Sequence, residues 1–247
     1  MTKPFTPIGD SAIRISFENE VSPKTHQKII AFKKKLELKR FSWIIDIIPG
    51  FTTLSIVYRP VEITYKEACE KLEEILQDEQ DSIANEAIIY HIPVCYESPY
   101  QLDLEEVARL NRLSVEDVIN IHKNQTYYVY FLGFLPGFAY LGGMDSRIAT
   151  PRLAEPRRNV PAGSIGIAGE QTGIYPLNSP GGWRIIGRTP VRVYDRDRIP
   201  PSLLLPGNFV RFHSISRDEF QEIAQQVKEG IYEIKTTAYK GDSDACH

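Results

Sequence analysis

Polar and apolar positions in the first ninety residues follow two periods in turn. In Ala12-Ile13-Arg14-Ile15-Ser16-Phe17 the apolar residues Ile13, Ile15 and Phe17 recur at every second position, which predicts a half-buried strand. Ser22-Pro23 supplies a helix cap and a proline at the first helical position, and Ile29, Phe32 and Leu36 follow at helical spacing. Two β-rich runs, residues 43–48 and 51–58, flank the turn dipeptide Pro49-Gly50 and predict a hairpin. Thr64 and Glu67 stand at capping-box spacing ahead of Ala68, Leu72, Ile75 and Leu76, so a second helix follows, and residues 87–94 read as a further strand. The order βαββαβ is that of a ferredoxin-like α+β domain, with one alternative: the last strand instead opens the second half of the chain.

Residues 77–86 are charged, free of proline and without a period, and mark a boundary. The expected division is an α/β domain over 1–85, a second domain over 86–240, and a polar, frayed tail over 241–247. Residues 102–123 predict two short amphipathic helices, capped by Asp103 with Glu106 and by Ser114 with Asp117. Beyond Gln125 the pattern changes. Pro, Gly, Tyr and Phe become frequent, helical periodicity is lost until about Asp218, and residues 164–168, 184–186, 191–194 and 209–212 read as strands. Many short strands with turn signals predict a mainly β domain, a closed barrel or a sandwich.

Composition narrows the function classes. A chain of 247 residues buries a sizeable core without a disulfide or metal staple. Cys69, Cys95 and Cys246 lack C-x-x-C spacing and fit free thiols of a reducing cytoplasm. With 29 basic and 32 acidic residues the net charge is -3, which gives nucleic acid or an anionic membrane no electrostatic hold. The apolar run at 43–48 is broken by Asp46 and falls far short of the ~20 residues a membrane span needs, and the start MTKPFTPIGD has no apolar stretch of a secretory signal. A cytoplasmic, soluble protein is expected.

Each candidate motif has a structural alternative. A helix-turn-helix over 102–123 is disfavoured because Asp103, Glu105, Glu106, Glu116 and Asp117 would repel phosphate. Ala162-Gly163-Ser164-Ile165-Gly166 resembles a nucleophile elbow, but the first glycine is alanine and no helix follows, so Ser164 reads as a barrel residue. No Walker-type phosphate loop occurs in the sequence, and no pair of histidines has metal-ligand spacing, so no metal is expected. His122 ends a predicted helix and reads either as a cation at the helix C-terminus or as a catalytic group. Arg152 and Arg157 each follow a proline that stiffens the backbone, so each reads as a guanidinium held ready for a carboxylate or phosphate, or as a loop brace. Two uncharged segments, GFLPGFAYLG (133–142) and QTGIYPLNSPGGW (171–183), mix glycine with aromatics. They predict the floor and wall of a groove, with Phe134, Phe138, Tyr175 and Trp183 as apolar surface and Gln171, Thr172 and Ser179 as polar groups; packing at barrel corners is the alternative.

The stretch YFLGFLPGFAYLGGM, the block EPRRNVPAGSIGIAGEQTGIYPLNSPGGWRIIGRTP and the opening PIGDSAI resemble the KipI family, also called allophanate hydrolase subunit 1. The resemblance runs from about Pro7 to Ile215. It implies a small α/β domain followed by a cyclophilin-like β-barrel. It also implies a subunit of an ATP-dependent 5-oxoprolinase, with ATP as co-substrate of a complex formed with an A subunit and a KipA-type C subunit. Two other functions go with the family: inhibition of a sporulation histidine kinase by direct binding, and a part in an allophanate or urea-related amidohydrolase. In the reading that results, Arg152 or Arg157 binds an anionic substrate group beside the 171–183 wall, and His122 and Arg157 are the catalytic candidates.

Overall fold

A computed structural model describes residues 5–77 and 87–241. The chain divides into two compact units, Met1–Asn85 and Glu86–His247. The predicted boundary from residue 78 onward and the predicted tail from residue 242 lie outside the described residues.

In the first unit, strands β1 (Phe5–Ile8) and β2 (Ala12–Ser16) form a hairpin, followed by α1 (Pro23–Lys39), β3 (Ile44–Pro49), β4 (Thr53–Tyr58) and α2 (Tyr65–Gln77). Ser22 caps α1 by accepting from the Thr25 N–H, with Pro23 inside the first turn. Thr64 and Glu67 bond reciprocally ahead of α2, as their spacing predicts. The antiparallel sheet runs β1-β2-β4-β3. Its alternate residues Ile13, Ile15, Leu54 and Ile56 are fully buried and meet Ile29, Phe32 and Leu36 of α1 and Leu72 of α2 in one core.

The fourth place in this sheet is filled by β1, not by residues 87–94. That segment is β5 (Ile88–Val94) of the second unit, where it runs parallel to a later strand. The physical reason lies in its sequence: Ile89, Tyr90, Ile92 and Val94 are buried, so both faces are apolar. Such a strand belongs inside a sheet covered on both sides rather than at the edge of a one-sided one.

The second unit continues with α3 (Leu104–Asn111), α4 (Val115–Lys123), β6 (Thr126–Leu132), β7 (Ala139–Gly142), a 3-10 turn (Ser146–Ile148), β8 (Arg157–Val160), β9 (Ser164–Ala168), β10 (Gln171–Ile174), β11 (Ser179–Gly181), β12 (Arg184–Arg188), β13 (Phe209–Ser214), α5 (Arg217–Glu229) and β14 (Thr236–Ala238). One sheet has the order β12-β9-β10-β7-β6-β13-β5-β14, and β8 and β11 form a separate ribbon. The large sheet curls back on itself. Cys95, just past β5, exchanges two backbone hydrogen bonds with Arg188 of β12, at 2.8 and 3.0 Å. Gly187 is required at this closure, because a Cβ there would lie 2.9 Å from both the Cys95 carbonyl and the Val94 side chain. Inside lie Ile92, Val94, Tyr127, Val129, Ile165, Ile167 and Val210, with Leu104, Val107 and Val118 of α3 and α4 in the same core.

Residues 191–194 are not a strand; only an isolated bridge joins Tyr194 to Ser202. Arg198 donates to the carbonyls of Arg192, Val193, Pro200 and Pro201, so carbonyls that a ladder would use are taken by a side chain. Ile56→Ala, at the centre of the first unit's core, is expected to lower the free energy of unfolding by about 2–5 kcal/mol, read from the urea midpoint at unchanged m-value.

Candidate functional site

The two glycine–aromatic segments meet, but as packed interior. Phe138, just before β7, Tyr175 after β10 and Trp183 before β12 are all buried and contact one another edge to face, with ring centroids 5.4 to 6.3 Å apart. Val160, Ala168 and Ile185 complete the cluster. Gly173 shows what the glycines do here: a Cβ would stand 3.1 Å from the Trp183 ring and 3.2 Å from that of Phe138. Missing side chains let large rings close on each other. Phe134 is the exception. It is 73% exposed at φ 66°, and its ring reaches solvent from the loop that carries Phe138.

The arginines take separate roles. Arg157, first residue of β8, donates through both terminal nitrogens to the Asp103 carboxylate, at 2.9 and 2.6 Å. The same carboxylate accepts from the Ile185 N–H at 2.6 Å, and the Asp103 N–H donates to the Ile185 carbonyl at 2.7 Å. Asp103 therefore starts α3 but does not cap it with its side chain. Charge-assisted donors outcompete the helix N–H groups for its oxygens. Arg157 is correspondingly a strut rather than a waiting anion site. Arg184 donates to the Pro151 carbonyl at 3.0 Å. Arg152 is exposed, lies 6.0 Å from the Trp183 ring centroid, and has no ion pair or hydrogen bond among the described residues. Burial pushes the Tyr175 hydroxyl above its ordinary range, opposed by a backbone hydrogen bond at Trp183 and by the charges of Arg152 and Arg157. Ser179, on β11 and buried, has a hydroxyl without a hydrogen-bond partner among the described residues.

His122 and Thr172 belong to a different place. His122 is fully buried in the last turn of α4, stacked on Phe212 at 4.7 Å. The Thr172 hydroxyl donates to the Gly166 carbonyl at 3.1 Å, so it must accept from His122 Nε2 at 3.0 Å. That leaves Nδ1 to accept from the Tyr96 hydroxyl at 2.8 Å. The imidazole is thus neutral, with its tautomer fixed, and burial pushes its pKa down to about 3. His122 ends α4, as its position in the sequence predicts, but as a buried neutral ring rather than a cation facing the helix end. Gln171 is half-buried at the start of β10.

Of the residues singled out from sequence, Phe134, Phe138, Tyr175, Trp183 and Arg152 are brought together around one aromatic cluster, with Arg157 and Ser179 on the paired ribbon strands β8 and β11. Asp103 was missed as a site residue. Its partner lies 54 positions away and its neighbours spell a helix cap, so no local signal marks it. Among the described residues no group of three His, Cys, Asp or Glu could hold a metal, and no helix is long and apolar enough to cross a membrane. A cleft of about 590 Å³ beside α4 is lined by Asp117, Asn120, Asn124 and Arg147, but Asp117 is engaged by Ser114 and Arg147 by Asp145.

Residues 3–204 match the family model described as carboxyltransferase domain, subdomain C and D. The B subunit of 5-oxoprolinase from Bacillus subtilis is 41% identical over 233 residues, covering 89% of this chain and 95% of that one. The chain belongs to this family. The corresponding 5-oxoprolinase chain of Escherichia coli O157:H7 is 38% identical over 83% of this chain and 93% of its own length. Among solved structures, a conserved uncharacterized protein from Pyrococcus horikoshii is 48% identical with a TM-score of 0.53, covering 87% of this chain and 99% of that one. Urea carboxylase of Kluyveromyces lactis has a TM-score of 0.75 at 20% identity, covering 95% of this chain and 24% of that one, a likeness of fold alone. This member of the family is a mixed α/β protein with large sheets.

Two outcomes test this face and its surroundings. Asp103→Ala leaves Arg157 without its counter-charge; because Arg157 keeps 28% of its side chain in solvent, the expected loss is about 2–3 kcal/mol rather than the larger cost of a fully buried pair. A double-mutant cycle with Arg157→Met, followed by urea unfolding, checks it. His122 has a folded pKa below its unfolded value of about 6.5, so the unfolded chain binds the extra proton and stability falls as pH drops from about 6.5 towards 3. Between pH 6 and pH 4 His122 contributes a loss of roughly 2–3 kcal/mol, and His26, depressed to about 4, acts in the same direction. The urea midpoint measured across this range should flatten in His122→Gln.

Proposed function

We propose that the chain is the B subunit of an ATP-dependent 5-oxoprolinase, converting 5-oxo-L-proline, ATP and water to L-glutamate, ADP and phosphate in a complex with an A subunit and a KipA-type C subunit. The observation that carries this reading is the 41% identity to the Bacillus subtilis chain across 95% of that protein's length. The second unit is read as a cyclophilin-like barrel, a reading supported by the return of β5 onto β12, while the first unit keeps a small α/β sheet whose element order ββαββα differs from the ferredoxin-like βαββαβ.

The chemistry explains what the site must supply. A five-membered lactam is a resonance-stabilised amide, and phosphoryl transfer to its oxygen makes the ring carbon electrophilic enough for water. The substrate is also a carboxylate, and it needs a cation to fix the ring in place. Arg152 fits that part: its guanidinium carries no counter-ion among the described residues and lies against Trp183, while Phe134 offers an exposed apolar face. Arg157 is the positioning residue, since Asp103 fixes β8 beside it. His122 has no part in proton transfer. ATP is the co-substrate of the complex, and no residue of this chain is assigned to it.

Reconstitution with candidate A and C subunits, ATP and 5-oxoproline is expected to yield glutamate and ADP in equal amounts, and Arg152→Ala to raise KM for 5-oxoproline about fivefold to tenfold with kcat little changed. No glutamate above that formed by A and C alone would overturn the function. An unchanged KM in Arg152→Ala would remove Arg152 from the site.

A further inference from the structure

A second unpaired guanidinium lies away from Arg152, at the strand closure. Arg188 is half-buried on β12, and its Nε donates to the Ala162 carbonyl at 2.8 Å. Its two terminal nitrogens meet no acceptor among the described residues. The Tyr100 ring lies 6.0 Å from its Cζ, and no described carboxylate pairs with it. Burial pushes the guanidinium below its ordinary value, opposed only by Tyr100. A cation that has lost part of its hydration and has no counter-ion is an unsettled electrostatic arrangement, and an anion would relieve it.

Space for one is present. Arg188 lines a cleft of about 280 Å³ between α5 and the segment that follows β12. The lining combines an apolar side, Val191, Phe220, Ala224 and Val227, with Lys228 at the end of α5. Arg192 is also there but is paired with Asp195 at 2.9 Å. No acidic side chain among the described residues lines the cleft.

We propose that this cleft binds a small carboxylate that lacks an ammonium group, with the carboxylate on the terminal nitrogens of Arg188 and its hydrocarbon body against Val191, Phe220 and Ala224. Three features select that class. The free edge of a guanidinium whose Nε is already bound is a planar two-donor fork, which matches a carboxylate. The volume is below that of a drug-sized pocket and suits a molecule of roughly ten heavy atoms. Lys228 would repel an amino acid's ammonium, while the body of an acid with an uncharged ring or chain meets the apolar side of the cleft. The cleft is a place distinct from Arg152 and does not depend on the proposed activity: 5-oxoproline, the substrate of that reading, fits its chemistry, and so does a carbocyclic acid that no lactamase could open.

The test uses the isolated full chain, labelled for NMR, titrated separately with 5-oxoproline, cyclopentanecarboxylate, glutamate and inorganic phosphate. Both ring carboxylates are expected to shift the amides of Thr189 and Val191 and the Arg188 Nε–H saturably, each with a Kd at least about fivefold below that for glutamate. Ala224→Phe, which fills the cleft, and Lys228→Glu, a surface change that leaves the fold intact, are both expected to weaken binding by about fivefold or more, with thermal midpoints checked in parallel. Absence of saturable shifts with either ring carboxylate, equal or tighter binding of glutamate or phosphate, or shifts that survive in both variants would each overturn the proposal. No glutamate formed by the reconstituted complex, with these shifts present, would count against the proposed function and leave the cleft standing.

Discussion

The carboxylate of Asp103 is the point on which the arrangement of the second unit's outer face depends. It accepts three donors, two from Arg157 and one from the Ile185 backbone, and so binds the start of α3 to both β8 and β12. With 8% of its side chain exposed, it could not remain buried and charged without those partners. The ribbon of β8 and β11 shares no strand pairing with the large sheet. Its attachment rests on this pair and on bonds such as that from the Leu153 N–H to the Gly182 carbonyl at 2.7 Å. The surface near Trp183 is thus held in place by one buried charge together with these backbone bonds.

The same rule sorts the other arginines. Arg109, Arg147 and Arg192 are neutralised by carboxylates, and Arg198 spends its donors on backbone carbonyls. Arg152 and Arg188 are among those left without a carboxylate, one exposed against an aromatic face and one half-buried at the closure of the sheet. A guanidinium with a bidentate carboxylate is part of the scaffold, whereas one whose terminal nitrogens are unspoken for is still able to bind. That distinction is made by residues remote in sequence, which is why Pro156-Arg157 and Pro151-Arg152 look alike in the chain and differ in the fold.

Much of the first unit was legible because its signals are local. Ser22-Pro23 and Thr64-x-x-Glu67 cap helices through atoms three residues apart, and the alternation of Ile13 and Ile15 is the alternation of a pleated strand. β1 went unread because Phe5–Ile8 buries only Phe5, a pattern without a period. In the second unit the local signals misled wherever a long-range partner intervened. Asp103 has the sequence of a cap and the role of a counter-ion. The 171–183 segment has the composition of a groove wall, yet its rings pack on one another, and Thr172 turns inward to His122. Pro176, between Tyr175 and Trp183, does line a cleft, the one beside α5.

What the gathered groups can do chemically is limited by the same packing. Arginines stay protonated at neutral pH, and the Tyr175 hydroxyl is pushed further from ionisation by burial. His122, whose unperturbed pKa would suit proton transfer, has both ring nitrogens bonded and a pKa near 3. The face around Arg152 can therefore hold an anion and fix its orientation. What it supplies is binding charge on a rigid aromatic surface, because the rings beneath it are packed against one another and the neighbouring ribbon is tied down by Asp103.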